Sequence, residues 1–173
     1  MTTIPTVSPS LLERFPRQLL GLIALVCIGM LAFGLYLQHV VGLEPCPMCI
    51  VQRYALIAVA LAAGITALLR SRRALWGGVG VMAVFAVFGA GVAARQSWLQ
   101  WYPPEIMSCG RDFFGMIESF PLRRAIPMIF RGSGDCSVID WTFLGLSIAN
   151  WSFLSFSAIA LAALALWLKR APA

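Results

Sequence analysis

Residues 19–37 form an uncharged, almost wholly apolar run. At 1.5 Å per helical residue it is long enough to cross a hydrocarbon layer of about 30 Å. Three further runs follow. Residues 50–69 are interrupted only by Gln52 and Arg53 near their start, and residues 74–94 carry no charge. A last run ends at Leu168 and begins between Leu144 and Trp151, at about 147. The pattern predicts an all-α membrane protein: one integral membrane domain over 1–173, folded as a four-transmembrane-helix bundle. A short connection over about 38–49 joins the first two spans, and Arg70-Ser71-Arg72-Arg73 makes a tight turn at a membrane surface. A long loop over about 95–146 precedes the fourth span, and a loop of that length in a small protein is usually functional. A cleaved signal peptide would have an apolar core of only about 7 to 15 residues, and Tyr36-Leu37-Gln38-His39 offers no small-residue cleavage site. The first helix is therefore expected to be retained, behind a short polar tail.

Composition agrees with this reading. The chain is 60% apolar and 12% charged, with a mean hydropathy of +0.85, which suits a bilayer and neither a soluble domain nor a disordered chain. The net charge of +6 comes in short clusters beside the apolar runs, so it reads as a topology signal and not as a nucleic-acid footprint. Arg14, Arg17, Arg70, Arg72, Arg73, Lys169 and Arg170 lie on the side of the termini and the tight turn, against one acid, Glu13. Apart from Arg53, the other side holds five bases and six acids. The excess of bases predicts that both termini are cytoplasmic and both loops lie outside.

Five cysteines divide unequally: Cys27 lies inside an apolar run, while Cys46, Cys49, Cys109 and Cys136 lie at the outer loops. A thiol embedded among apolar residues is usually inert, so Cys27 is read as structural. The other four sit where disulfides persist. Cys46 and Cys49 make a C-x-x-C at the mouth of the second span, where backbone N-H groups and the helix dipole favour a thiolate. Arg53 follows Cys49 by one turn. An arginine inside a span is either a snorkelling anchor or a functional charge; beside a C-x-x-C it can stabilise a thiolate and donate to the oxygen of a bound oxidant. Metal binding is disfavoured, because no second close Cys or His pair follows, and no histidine after Cys49 makes a haem site. Cys109 and Cys136 lie in a loop read as wide, flexible and facing solvent. Their bond could be a staple or a labile disulfide open to a partner's thiolate, and the presence of two such pairs favours exchange between them. The stretches 113–120 and 126–130 are apolar and too short to span, and are expected on the bilayer surface or in a packed loop. Ala86, Ala90 and Ala94 make a small-residue stripe for close helix approach.

Taken in order, Gln38-His39, Pro45-Cys46-x-x-Cys49 with Arg53, Leu99-Gln100-Trp101-Tyr102-Pro103 ahead of Cys109, and Ser133-Gly134-Asp135-Cys136 with Trp141-x-Phe143-Leu144-Gly145 resemble the DsbB family of bacterial disulfide-forming membrane proteins. The resemblance runs from the first span into the fourth. It implies a multi-pass bundle in the bacterial inner membrane, with its active loops in the periplasm, that reoxidises the soluble thiol oxidase DsbA and passes two electrons to ubiquinone or menaquinone. That chain of DsbA, DsbB and quinone is established bacterial chemistry and is not read from this sequence. Carried over by position, Cys109 would take the mixed disulfide with DsbA and Cys136 would attack Cys46. Cys49 would remain as the thiolate beside the quinone, with Arg53 polarising a quinone oxygen. Where some members have a histidine near the quinone, this chain has Gln96, which can donate a hydrogen bond but cannot relay a proton. The alternatives are a relative of vitamin K epoxide reductase, whose C-x-x-C typically comes late in the bundle, and a non-enzymatic tetraspan scaffold with stapled loops.

Overall fold

The structure, a computed structural model, describes residues 9–103 and 134–169, with side chains over 15–103 and 136–169. Cys109 and the two apolar loop stretches therefore lie outside the described residues. Four long helices account for most of the rest: α1 (Pro9–His39), α2 (Pro47–Leu68), α3 (Arg72–Trp101) and, after a one-turn α4 (Gly134–Ser137) and a hairpin of β1 (Thr142–Phe143) and β2 (Leu146–Ser147), α5 (Ile148–Leu168). Each long helix carries a segment long and apolar enough to cross a membrane. The chain is an all-α, four-span membrane protein.

The helices pack along narrow seams. Leu20, Ile23, Ala24 and Cys27 of α1 meet Ala55, Leu56, Val59 and Ala63 of α2; Leu75, Val79, Met82 and Ala86 of α3 meet Phe156, Ile159, Ala163 and Leu166 of α5, all within one buried cluster. These positions recur at three- and four-residue intervals, which keeps one face of each helix on its neighbours. The opposite faces hold Leu25, Leu61, Val84, Val87 and Leu161, all more than half exposed, as suits lipid contact. Of the alanine stripe, Ala86 is buried and Ala90 partly so, but Ala94 is exposed. Eight residues on, a helix has turned about 80° past the seam, whereas seven residues bring it nearly back, and the buried position is Ala93. Gly89 lies on the same seam, where a Cβ would stand 2.5 Å from the Phe156 ring, so its missing side chain is what lets α5 approach.

α3 is a 30-residue helix, about 45 Å long, and so continues beyond a hydrocarbon layer of about 30 Å. Arg95 ends the apolar run but not the helix, because the following residues are good helix formers and Pro103-Pro104 is the first real stop. Gln96 and Gln100 are thus helical. At the other end of the bundle, Arg17 Nη2 donates to the Arg70 carbonyl at 2.6 Å, tying α1 to the turn between α2 and α3.

The β1–β2 hairpin pairs Thr142 with Ser147 and Phe143 with Leu146, which leaves a two-residue turn. Both turn residues have positive φ, Leu144 at 52° and Gly145 at 78°, as a hairpin twist requires. Glycine takes that conformation readily and leucine does not. Ser147 then caps α5, accepting from Asn150 N at 3.4 Å and donating to Gln100 Oε1 of α3 at 2.6 Å.

The order of packing is α1 on α2, α2 on α3 and α3 on α5, while α1 and α5 barely touch. Among the described residues, the bundle is open along the α1–α5 seam.

Candidate functional site

Pro47 opens α2 at a position where its missing N-H costs nothing. Cys46 immediately before it is extended (φ −65°, ψ 160°) and caps the helix: its Sγ accepts from Cys49 N at 3.2 Å. This first-turn geometry folds the C-x-x-C back on itself, so that the Cys46 and Cys49 sulfurs lie 2.6 Å apart. Disulfide formation between them needs no backbone rearrangement.

Cys136 comes to the same place by another route. The one-turn α4 packs on α3 and α2, and Cys136 is fully buried with Cys46, Met48, Val92 and Leu99. The loop setting expected for it is therefore a packed one, because the small apolar thiol fills a gap among these side chains. The Cys46 thiol lies outside the spans and is held well above the ordinary thiol range, chiefly by the hydrogen-bonded Cys136 side chain, then by Cys49, then by burial.

From α3, Gln96 reaches both sulfurs: its Nε2 donates to Cys49 Sγ at 3.2 Å and to Cys46 Sγ at 3.3 Å. Its Oε1 accepts from Gln52 Nε2 at 2.6 Å. Both amides are buried. Gln52 entered the sequence reading only as an interruption of an apolar run. The signal that could have singled it out is its place one turn after Cys49, on the helix face that carries the thiol.

Cys46, Cys49, Gln52, Arg53 and Gln96 open onto a cavity of about 480 Å³ whose other walls are mostly apolar, including Val26, Met30 and Phe33 of α1 and Ile148 and Phe156 of α5. The cavity lies along the seam where α1 and α5 barely touch. Arg53 is anchored at its edge by hydrogen bonds from Nη1 to Gln38 Oε1 and from Nη2 to the Gly34 carbonyl, the latter at 3.1 Å. Above it, Trp141 lies edge-on to Phe33 (5.7 Å between ring centroids) and stacks on Phe143 (6.1 Å), which meets Trp151 at 6.1 Å. Trp151 Nε1 also donates to the Phe143 carbonyl at 3.0 Å, so the hairpin and aromatic rings roof the cavity.

The structure thus brings together Cys46, Cys49, Cys136 and Gln96, with Arg53 on the cavity that Cys49 faces. Chemically this is a dithiol with a third thiol on one side, and on the other a compartment with apolar walls and a cation at one end. It can exchange disulfides on the first side and hold an apolar molecule with a polar head on the second.

A sequence model of the family described as "Disulfide bond formation protein DsbB" matches residues 16–166. Among curated proteins, the "Disulfide bond formation protein B" of Polaromonas sp. strain JS666 is 70% identical over 154 residues, covering 89% of this chain and 92% of that one. The protein of the same name from Paracidovorax citrulli is 67% identical over 162 residues, 93% of this chain and 91% of its own. That of Azoarcus sp. strain BH72 is 56% identical over 160 residues, 91% and 94% of the two chains.

Proposed function

From the premise that the chain belongs to the DsbB family, we propose that it is a protein thiol:quinone oxidoreductase of the bacterial inner membrane. In this reading both termini are cytoplasmic, the loops are periplasmic, and the chain reoxidises a DsbA-like thiol oxidase and hands two electrons to ubiquinone or menaquinone. The observation that carries the reading is the position of Cys49, with one side on the Cys46 sulfur and the other on the cavity that Arg53 edges.

The cavity suits a quinone. Its walls are mostly apolar, as a ring and isoprenoid tail require, and its opening between α1 and α5 faces where lipid would be. Among the described residues, Arg53 uses two of its five N-H donors, which fixes the guanidinium plane and leaves donors for a carbonyl oxygen. When bound there, a quinone supplies a two-electron, two-proton acceptor.

The protein's own steps balance as follows. The partner's thiolate attacks the Cys109–Cys136 disulfide at Cys109, forming a mixed disulfide and releasing Cys136 as a thiolate. Cys136 attacks Cys46, so that the Cys46–Cys49 bond breaks and Cys49 leaves as a thiolate facing the cavity. The partner's second thiolate displaces Cys109 and departs as a disulfide. Cys109 then attacks Cys136, restoring the outer disulfide and releasing Cys46. Cys46 and Cys49 would then close their disulfide again, their two electrons and the two protons from the partner's thiols going to a quinone that Arg53 would hold by an oxygen, with Gln96 hydrogen-bonded to the two sulfurs. Two partner thiols become one disulfide, and one quinone becomes one quinol.

The test is single-site replacement in the purified full chain. Cys49→Ser should abolish quinone reduction, and Cys109→Ser should block reaction with reduced DsbA. Normal DsbA turnover with quinone by either variant would refute the scheme.

A further inference from the structure

Gln96 is the amide side chain that reaches both sulfurs, and its two ends have opposite chemistry and the same shape. Its amide could sit with either Nε2 or Oε1 on the sulfurs, and packing alone does not distinguish the two. A neighbour decides. Gln52 Nε2 donates to Gln96 Oε1 at 2.6 Å across the α2–α3 seam, which occupies the oxygen and turns the Nε2 group onto Cys46 and Cys49. Both glutamines are at most 6% exposed, so bulk water does not compete for either amide.

We propose that Gln52 is a positioning residue that locks the Gln96 amide with its N-H groups on the Cys46 and Cys49 sulfurs, and so stabilises the reduced pair relative to its disulfide. This rests on the reading of Cys46 and Cys49 as a redox couple. Reduction of that couple takes two electrons and one proton, breaks the S–S bond, and leaves one thiol and one thiolate. A thiolate is a far better hydrogen-bond acceptor than a disulfide sulfur, so two donors fixed on the pair favour the reduced side. Were the Gln96 amide turned over, its oxygen would face the new negative charge and favour the disulfide. The couple is made more oxidising by two neutral groups that do not titrate. The charged or titratable neighbours on this cavity and cluster are Arg53, Glu44, Asp140 and the three thiols.

The test measures the equilibrium of the Cys46–Cys49 couple against dithiothreitol in the full chain. Cys109→Ala and Cys136→Ala remove the outer pair, and alkylation with mass spectrometry reads the redox state. Gln52→Met should shift the equilibrium about tenfold toward the disulfide, which is about 30 mV for two electrons. Gln96→Leu should do the same, and adding Gln52→Met to Gln96→Leu should change nothing further. Gln52→Glu gives a second signature. Its protonated carboxyl can still donate to Gln96 Oε1, whereas the ionised form only accepts and draws the Nε2 group away. Its equilibrium should match the parent at low pH and depart from it as pH rises. An unshifted equilibrium in Gln52→Met, or a full shift on top of Gln96→Leu, would overturn the proposal while leaving the couple intact. If the parent couple did not titrate reversibly at all, both the proposal and the redox reading would fall.

Discussion

Arg53 on α2 donates to Gln38 on α1, so the cation that edges the cavity is fixed by a residue from the neighbouring helix and not by its own. Its second hydrogen bond, to the Gly34 carbonyl at 3.1 Å, uses backbone one turn earlier on α1. An arginine that served only to snorkel would reach for the membrane surface and would need neither contact.

Replacement of Arg53 should therefore act on quinone affinity and not on the cysteines. Arg53→Lys keeps the charge but cannot span two acceptors and also present a fixed donor to a third. The KM for quinone should rise about tenfold or more, the loss of roughly one charge-assisted hydrogen bond, while alkylation mapping finds the disulfides unchanged. Gln38→Leu should weaken quinone binding in the same direction by a smaller factor. An Arg53→Lys enzyme with an unchanged KM would return the residue to the role of an anchor.

The hydrogen-bonded Cys136 and Cys49 side chains and burial hold the Cys46 thiol above its ordinary range, and a thiol alkylates only as its thiolate. In reduced protein, Cys46 should then remain neutral through about pH 8 to 9, where an exposed cysteine ionises. It should react with iodoacetamide more slowly than a model thiol at pH 8, because less of it is thiolate. Its rate should climb only at more alkaline pH, and Cys136→Ala, which removes the largest cause, should raise it at pH 8. The same shift implies a stability contribution fully present below the unfolded value of about 8.5 and lost as pH rises through the folded value. Site-resolved mass spectrometry of alkylation rates decides this.

The spans were legible because hydropathy and the three-to-four spacing describe a helix that buries one stripe and shows lipid the other. The end of α3 was not, since Arg95 ends an apolar run without ending helix propensity, and hydropathy reports on bilayer contact alone. The hairpin was hidden by Leu144, a residue with no turn signature held at positive φ by the pairing on either side. Among site residues, Cys46, Cys49 and Arg53 announced themselves by spacing. The contact between Cys136 and Cys46 could not be read that way, because it joins residues 90 apart through the fold. Gln52 was passed over because a lone glutamine in an apolar run carries no motif, and only its partner gives it meaning.

Gly89 and Phe156 link helix packing to the cavity. A methyl group at Gly89 would sit 2.5 Å from the ring, which is 2% exposed and so cannot swing into solvent. The space available to it is the cavity it already lines. Gly89→Ala should destabilise the bundle by about 1 to 3 kcal/mol, the usual effect of overpacking, and also weaken quinone binding as the ring moves inward. Phe156→Leu in the same chain should recover much of the stability. Thermal unfolding in detergent and the KM for quinone read the two effects separately. A neutral Gly89→Ala would mean that α3 and α5 can part at that point.

Trp141 ties the cavity's roof to α1 through its edge contact with Phe33 and to the hairpin through its stack on Phe143. Aromatic pairs of this kind contribute about 0.5 to 1.5 kcal/mol each beyond simple burial. Trp141→Ala should therefore loosen the roof without touching the sulfurs: a quinone would leave faster and its KM would rise, while the equilibrium between Cys46 and Cys49 against dithiothreitol would stay where it was. Trp141→Phe keeps a ring in both contacts and should retain most of the affinity. If Trp141→Ala instead moved the cysteine equilibrium and spared the KM, the tryptophan would belong to the thiol side of the site, and the division of the site into an exchange face and a carrier face would have to be redrawn.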